Sequence, residues 1–556
     1  MKKTLRKSLA MLLAASSIFS MAACNNGETD SNVCEIKGLI SGYGVDWLYA
    51  AEEAFNAAFK DKGYEVDVVL TDNDINAAQE ILSPKRNTTD LYIESNQINN
   101  LIERSRSVLG SKGGALLEDL TDVFNSKAIN LQGEEEGDAI ISRLNEEFVR
   151  MCKYSGTLNG YDGYYGIGVY KQASGMYVNK TVLTQNGYTL DDLVTTDSLV
   201  KVVYELAPAN PLDENEFFPI SWSGLKAPGY WDYMTEVLFA QYSGKQNFDN
   251  FWDFIPQTGT LEDNGWQVYT DRGILEGFKV VEKLMNTDLS VPGTASMEHI
   301  AAQARVFTGK SLLVISGDWI YKEMEKDFNA YLNNVVPVKI PMVSALGVKL
   351  GLCGQTHSEG DVCADCDSIL KSIVLDVDAL TLSDAEIAQK HSTVSEATVA
   401  TIRERRGYYL THYGPSIYMP SYSNAKESAK MFLRFLFSSD GERIIQANTH
   451  EWSTADSIVE PDLESLSEID RLIYTKKKAD HVTEIRQDTS AVMRSQNTGY
   501  GLCPEYGSPG IYQNLAYSHS KNQNPSVTAK IAFEASIRKA QNSWLDWLAN
   551  AGLNQR

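Results

Sequence analysis

Cys353, His357, Cys363 and Cys366 place three thiols and an imidazole in one short stretch, and each is a group that zinc accepts. The CxxC spacing that structural zinc sites pair occurs only once, at Cys363 and Cys366. Zinc, a local disulfide and free thiols therefore all stay open, and neither a metal nor any other cofactor is expected. Catalytic motifs fail on inspection. Gly309-Lys310-Ser311 resembles a phosphate loop, but Ala304 stands where that motif needs Gly. Gly166-Ile-Gly168 is followed by Lys171 where a dinucleotide fingerprint places Gly or Ala. His450-Glu451 lacks the second His of a zinc protease helix, and no Gly-x-Ser-x-Gly elbow occurs. Asp72-Asn-Asp74-Ile-Asn76 opens like a calcium loop, yet Ala77 takes the Gly position and Ser83 the bidentate Glu position. The expectation is a non-enzymatic protein.

Cys24 is a different case. Lys2, Lys3, Arg6 and Lys7 precede an apolar run from Leu9 to Phe19, and Met21-Ala22-Ala23 leads into Cys24. These are the charged, apolar and small-residue regions of a secretory signal. Ser8, Ser16, Ser17 and Ser20 leave the run short of the roughly 20 apolar residues a membrane span needs. The segment resembles a bacterial lipobox, with Met21 in place of the usual leucine. That implies cleavage of residues 1–23, acylation of Cys24, a tether over 24–33, and a chain anchored on the outer face of the cell membrane.

The 556 residues carry a formal net charge of −23, and the leader holds four positive and no negative charges, so the mature chain stands at −27. Such acidity argues against nucleic acid and against anionic lipid as partners, leaving the acyl group as the membrane attachment. With 43% hydrophobic residues the chain can bury two or more cores. The six cysteines other than Cys24 permit three disulfides, but a chain of this size does not require them.

The elements that must position any site alternate. Cys34 to Ile40 reads as a strand, the Ser41-Gly42-Tyr43-Gly44 turn follows, and Asp46 can cap a helix with Leu48, Ala51, Ala54, Phe55 and Phe59 at helical spacing. Strands are expected at Tyr64 to Leu70, Asp90 to Glu94, Ser174 to Val178, Phe217 to Trp222, Ser311 to Ser316 and Val335 to Ile340. Helices are expected at Leu190 to Leu206, Trp231 to Tyr242, Gly273 to Met285, His299 to Phe307 and Lys426 to Phe437. The alternation predicts α/β domains with mostly parallel sheets flanked by helices. Asp365 to Arg406 reads as a polar, helix-prone insertion on the outside, and the tail from Leu463 as largely helical.

Three stretches resemble the carbohydrate-binding branch of the extracellular solute-binding proteins of ABC importers, similar to the maltose-type proteins. They are Gly166-Ile-Gly168 with Gly175-Met-Tyr-Val-Asn-Lys180, then Ala302 to Trp319 with its Gly-Lys turn and Gly-Asp-Trp loop, and Ser428 to Gly441. The resemblance covers most of residues 35 to 450. It implies a type II periplasmic-binding-protein-like fold of two α/β lobes. Lobe one would be 34–176 plus 337–440, with an insertion at about 353–406, and lobe two 177–336 plus 441–556. It further implies a sugar, expected to be an oligosaccharide, held between the lobes by a monomer that delivers it to permease subunits.

A sugar offers C–H faces that lie on aromatic rings and hydroxyls that need fixed polar partners. The loops after strands supply both: Tyr43; Glu94 and Asn96; Trp222, Tyr230, Trp231 and Asp232; and Asp318 with Trp319. The resemblance places Trp231 and Trp319 in sugar-stacking loops. The same fold binding a peptide or polyamine is the nearest alternative. A surface glycosidase or lyase is the rival of a different class, and 73 acidic residues make carboxylate counting uninformative for it.

Overall fold

The computed structural model describes residues 32–40, 42–72, 77–94, 101–102, 116–144, 146–154, 162–358, 360–458, 460–464, 466, 471, 474, 483–485, 492–493, 501–508, 510–518 and 526–553. Cys24 and Asn96 lie outside them, as does the lipobox.

The chain opens on strand β1 (Val33–Leu39), whose alternating burial points Cys34 and Ile36 inward. Helix α1 (Asp46–Phe59) follows, with acidic Asp46 in its first turn and Leu48, Ala51, Phe55 and Phe59 on one buried face. Strands β2 (Glu65–Asp72) and β3 (Leu91–Glu94) lie parallel on either side of β1. The sheet is completed by two short strands, β4 (Ile167–Gly168) and β9 (Ser416–Tyr418), with β9 antiparallel to both β3 and β4. The order is therefore β2-β1-β3-β9-β4.

One residue beyond β4 the chain enters β5 (Tyr170–Asn179), the hub of a second sheet. Strands β6 (Leu313–Gly317), β7 (Val335–Val338), β8 (Tyr408–Tyr413) and β10 (Trp452–Ser453) all pair with β5 antiparallel. The chain thus passes between sheets at β4–β5, at Gly414-Pro415 between β8 and β9, and after helix α11 (Ser439–Thr449) into β10. The first two crossings touch: Gly414 N–H donates to the Tyr170 carbonyl at 2.9 Å. A Cβ on Gly414 would come within 2.4 Å of the Tyr170 ring, so only glycine fits there.

Two main cores follow the two sheets. The first gathers Ile36, Phe55, Ile167, Ile417, Phe432 and Ile445. The second holds Met176, Phe239, Phe278, Ile315, Leu410 and Trp547. The return to the first sheet therefore comes at Gly414 instead of near 337. The three helices of the presumed insertion, α7 (Ala364–Ala379), α8 (Asp384–Gln389) and α9 (Glu396–Arg406), send Leu370, Ile373, Ile387 and Ile402 into the second core, whereas the sequence reading attached them to the first lobe. Their apolar residues recur at helical spacing among many charges, which reads as an outer segment until the buried face finds its partner. Two other expectations shift locally. Phe217 to Trp222 forms isolated bridges at Ile220 instead of a strand, since Pro219 has no N–H to donate. The helix expected from Leu190 is broken at Thr195, which caps a shorter helix over Thr196–Glu205. The tail closes on helix α13 (Ala529–Asn550), whose Trp544 Nε1 donates to the Glu262 carbonyl at 2.9 Å.

Candidate functional site

The turn after β1 carries Tyr43 out of the first sheet, and the end of β6 carries Asp318 and Trp319 out of the second. They meet. Tyr43 Oη donates to Asp318 Oδ1 at 2.6 Å, and Asp318 Oδ2 accepts from the Ala173 N–H of β5 at 2.9 Å. The bond ties the loop of one sheet to the strand end of the other. Burial first, then the Asp318 charge, hold the Tyr43 phenol well above its ordinary pKa, so it remains a donor.

Aromatic rings continue the junction. Tyr43 lies edge-on to Tyr170 at 5.1 Å and to Trp319 at 6.1 Å. Trp319 in turn meets Tyr230 at 5.7 Å and Tyr233 at 6.2 Å, and those two tyrosines stack on each other at 5.2 Å. Tyr230 ends the short helical turn at Pro228–Tyr230 that leads into helix α2 (Trp231–Ser243). Burial pushes the Tyr230 phenol up to about 12. Trp319 belongs to the first core although its strand belongs to the second sheet, and Tyr230 and Tyr233 are packed against both. Gly42 explains the closeness: a Cβ there would lie 2.7 Å from the Trp319 ring and 2.9 Å from Glu323 Oε1.

Beside the junction a recess is lined by Trp222, Tyr230, Trp231, His299 and Gln303. Trp231 Nε1 and Gln303 Oε1 are buried with no hydrogen-bond partner, a donor and an acceptor left over among the residues that line it. Gln303 Nε2 donates to Glu323 Oε2 at 2.8 Å, and the bond to Glu323 raises the His299 pKa above its ordinary value. Both residues lie on helix α4 (His299–Phe307), and Glu323 on helix α5 (Ile320–Phe328) directly after Trp319.

Of the residues singled out from sequence, Tyr43, Tyr230, Asp318 and Trp319 come together at the junction, and Trp222 and Trp231 flank it in the recess. Glu94 is buried at the end of β3, paired across to Ser416. Asp232 is turned away: its carboxylate accepts from Ser508 and from Tyr512 Oη, the latter at 2.6 Å, so the C-terminal tail occupies it. Tyr170, Tyr233, His299, Gln303 and Glu323 were missed. Gln303 lies inside the Ala302 to Trp319 stretch and Tyr170 two residues after Gly168, so position in those motifs was the available signal.

No protein-family model matches the chain, and no curated protein matches it in sequence. Solved structures do match in fold. A chitin oligosaccharide binding protein aligns over 94% of this chain and 100% of its own at 13% identity, with a TM-score of 0.55. A maltose-bound protein of T. maritima aligns over 92% and 99% at 12% identity, TM-score 0.54. An ABC transporter solute-binding protein from Thermotoga lettingae bound with α-D-tagatose aligns over 92% and 99% at 12% identity, TM-score 0.53. At such identities the likeness concerns architecture, and the chain has the two-lobe, type II periplasmic-binding-protein-like fold.

Proposed function

We propose that the chain is a non-enzymatic carbohydrate receptor of an ABC importer, which captures a sugar between its two lobes and presents it to permease subunits. The observation that carries this reading is the junction itself: aromatic rings and the Tyr43–Asp318 bond gather where the two sheets meet. Rings offer flat apolar faces to C–H-bearing sugar rings, and a few fixed polar groups select hydroxyls. The named ligands of the fold's solved relatives, a chitin oligosaccharide, maltose and tagatose, support the same class. On this reading Tyr43, Glu94, Trp222, Tyr230, Trp231, Asp318 and Trp319 contact or frame the ligand. The lobes are the two packed bodies, 33–168 with 416–450 and 170–413 with the tail. Acylated Cys24 holds a monomer at the extracellular face of the membrane.

The test is a thermal-shift screen of the secreted chain starting at Asn25, against mono- and oligosaccharides, peptides and polyamines, with calorimetry on every hit. A ligand that binds only the native state raises Tm with concentration, by about 2.7 kcal/mol of stability at 100 times Kd. One sugar class that stabilises the protein, is recovered intact, and loses affinity on Trp319→Ala upholds the reading. Stabilisation by peptides or polyamines alone overturns the substrate class. Cleavage of the sugar overturns the receptor.

A further inference from the structure

Helix α6 (Ala345–Lys349) ends in a turn at Gly351, and the chain then runs through 353–366 before and into the first turn of α7. Apart from its cysteines, which pack against the second core, this stretch is mostly polar and exposed. Every described residue from 353 to 365 is exposed except Cys353, His357 and Cys363, and Val362 is 80% exposed. Yet those three side chains and the fully buried Cys366 converge, with all four ligand atoms within 4.8 Å of one another.

The separations have a specific form. Cys353 Sγ lies 3.1 Å from His357 Nε2, Cys366 Sγ 3.6 Å from the same nitrogen, and Cys363 Sγ 3.9 Å from Cys353 Sγ. A tetrahedral zinc with Zn–S of about 2.3 Å and Zn–N of about 2.0–2.1 Å sets its ligands about 3.8 Å apart for S···S and about 3.5 Å for S···N. A disulfide would need about 2.05 Å between sulfurs. The backbone also holds one of the sulfurs in place. The Cys366 N–H donates to Cys363 Sγ at 3.4 Å, which fixes that sulfur at the head of α7.

We propose that Cys353, His357, Cys363 and Cys366 bind one structural zinc ion. Binding sends three thiol protons to solvent and leaves neutral His357 bound through Nε2. All four positions are filled by protein, as in a closed structural site with no place for substrate water. The metal supplies the cohesion this polar loop lacks and staples the α6 turn to the start of α7. The clamp reaches α9 through Thr393, whose hydroxyl donates to the Leu352 carbonyl at 2.5 Å just before Cys353. The expectation of no metal, drawn from the single CxxC, is thereby revised: the second pair is Cys353 and His357, brought opposite by the turn.

The experiment measures metal in the full secreted chain purified without chelator or added metal, by mass spectrometry, with parallel thiol titration. One zinc per chain is expected, with loss of that zinc in Cys363→Ser and weaker retention against a competing chelator in His357→Ala. Exchange of the wild type into cobalt should give the intense visible bands of a tetrahedral, three-thiolate site. That readout stands even where a cysteine variant fails to fold. A chain that carries no zinc and leaves cobalt in its octahedral, pale form overturns the proposal. So does a thiol count two short with a bond linking Cys353 to Cys363 or Cys366.

Discussion

Asp232→Asn tests whether the C-terminal tail is docked against an electrostatic cost. The Asp232 carboxyl is partly covered by the tail, and the lost hydration raises its pKa from 3.8 to about 6 against the opposing pull of the Ser508 and Tyr512 hydroxyls. A group whose folded pKa is raised stabilises the fold fully below its unfolded pKa and loses that contribution as pH rises through the folded one. From pH of about 4 to above 6 the loss amounts to about 3 kcal/mol, at about 1.4 kcal/mol for each tenfold change. Asparagine stays neutral, accepts one hydroxyl through Oδ1, and has no proton to lose. The variant should match the wild type near pH 4 and melt higher near pH 8. For a body of this size about 1 kcal/mol moves Tm by some 2 °C, which makes the gap about 6 °C. Thermal melts followed by circular dichroism across that range read it directly. A gap that is constant with pH, or a variant less stable than the wild type at pH 8, would refute the reasoning.

Other outcomes follow from the junction and the cores. Tyr43→Phe removes the bond to Asp318 while leaving the ring contacts. A hydrogen bond to a charged acceptor contributes about 1.5–3 kcal/mol, so ligand affinity by calorimetry should fall about 10- to 150-fold. Gly42→Ala forces its Cβ into the Trp319 ring and should weaken binding through about 1–3 kcal/mol of overpacking, seen in the same titration as an affinity loss with unchanged stoichiometry. Arg143→Ala should lower stability by about 3–5 kcal/mol in a denaturant melt, because it strands buried Glu442 and the carbonyls of Phe437 and Asp456 that Arg143 serves.

What was legible in the sequence is what local pattern encodes. The β1–α1 unit stood out because Cys34 and Ile36 alternate and Leu48, Ala51 and Phe55 recur at helical spacing. The helices near 231, 273, 299 and 426 were readable for the same reason. Tyr43, Asp318 and Trp319, which meet at the junction, stood out since each follows a strand in a turn. Hidden were facts that depend on a distant partner. Asp232 looks like any loop carboxylate until Ser508 and Tyr512, some 280 residues later, cover it. Tyr170 and Tyr233 sit in β5 and α2 with the spacing of core residues, and only the meeting of the sheets makes them part of the junction. The metal-binding constellation was visible as four residue types, but their convergence depends on the turn at Gly351 and the register of α7.

The two touching crossings at Tyr170 and Gly414 behave as a two-ply ribbon. A single strand between bodies swivels about many axes; two strands held side by side by a hydrogen bond and a ring-on-glycine contact resist twist and yield mainly to bending. This part of the link between the two sheets is therefore stiffer in twist than a single strand would be. A bulky residue in place of Gly414 would part the two plies and loosen this link without touching the Tyr43–Asp318 bond.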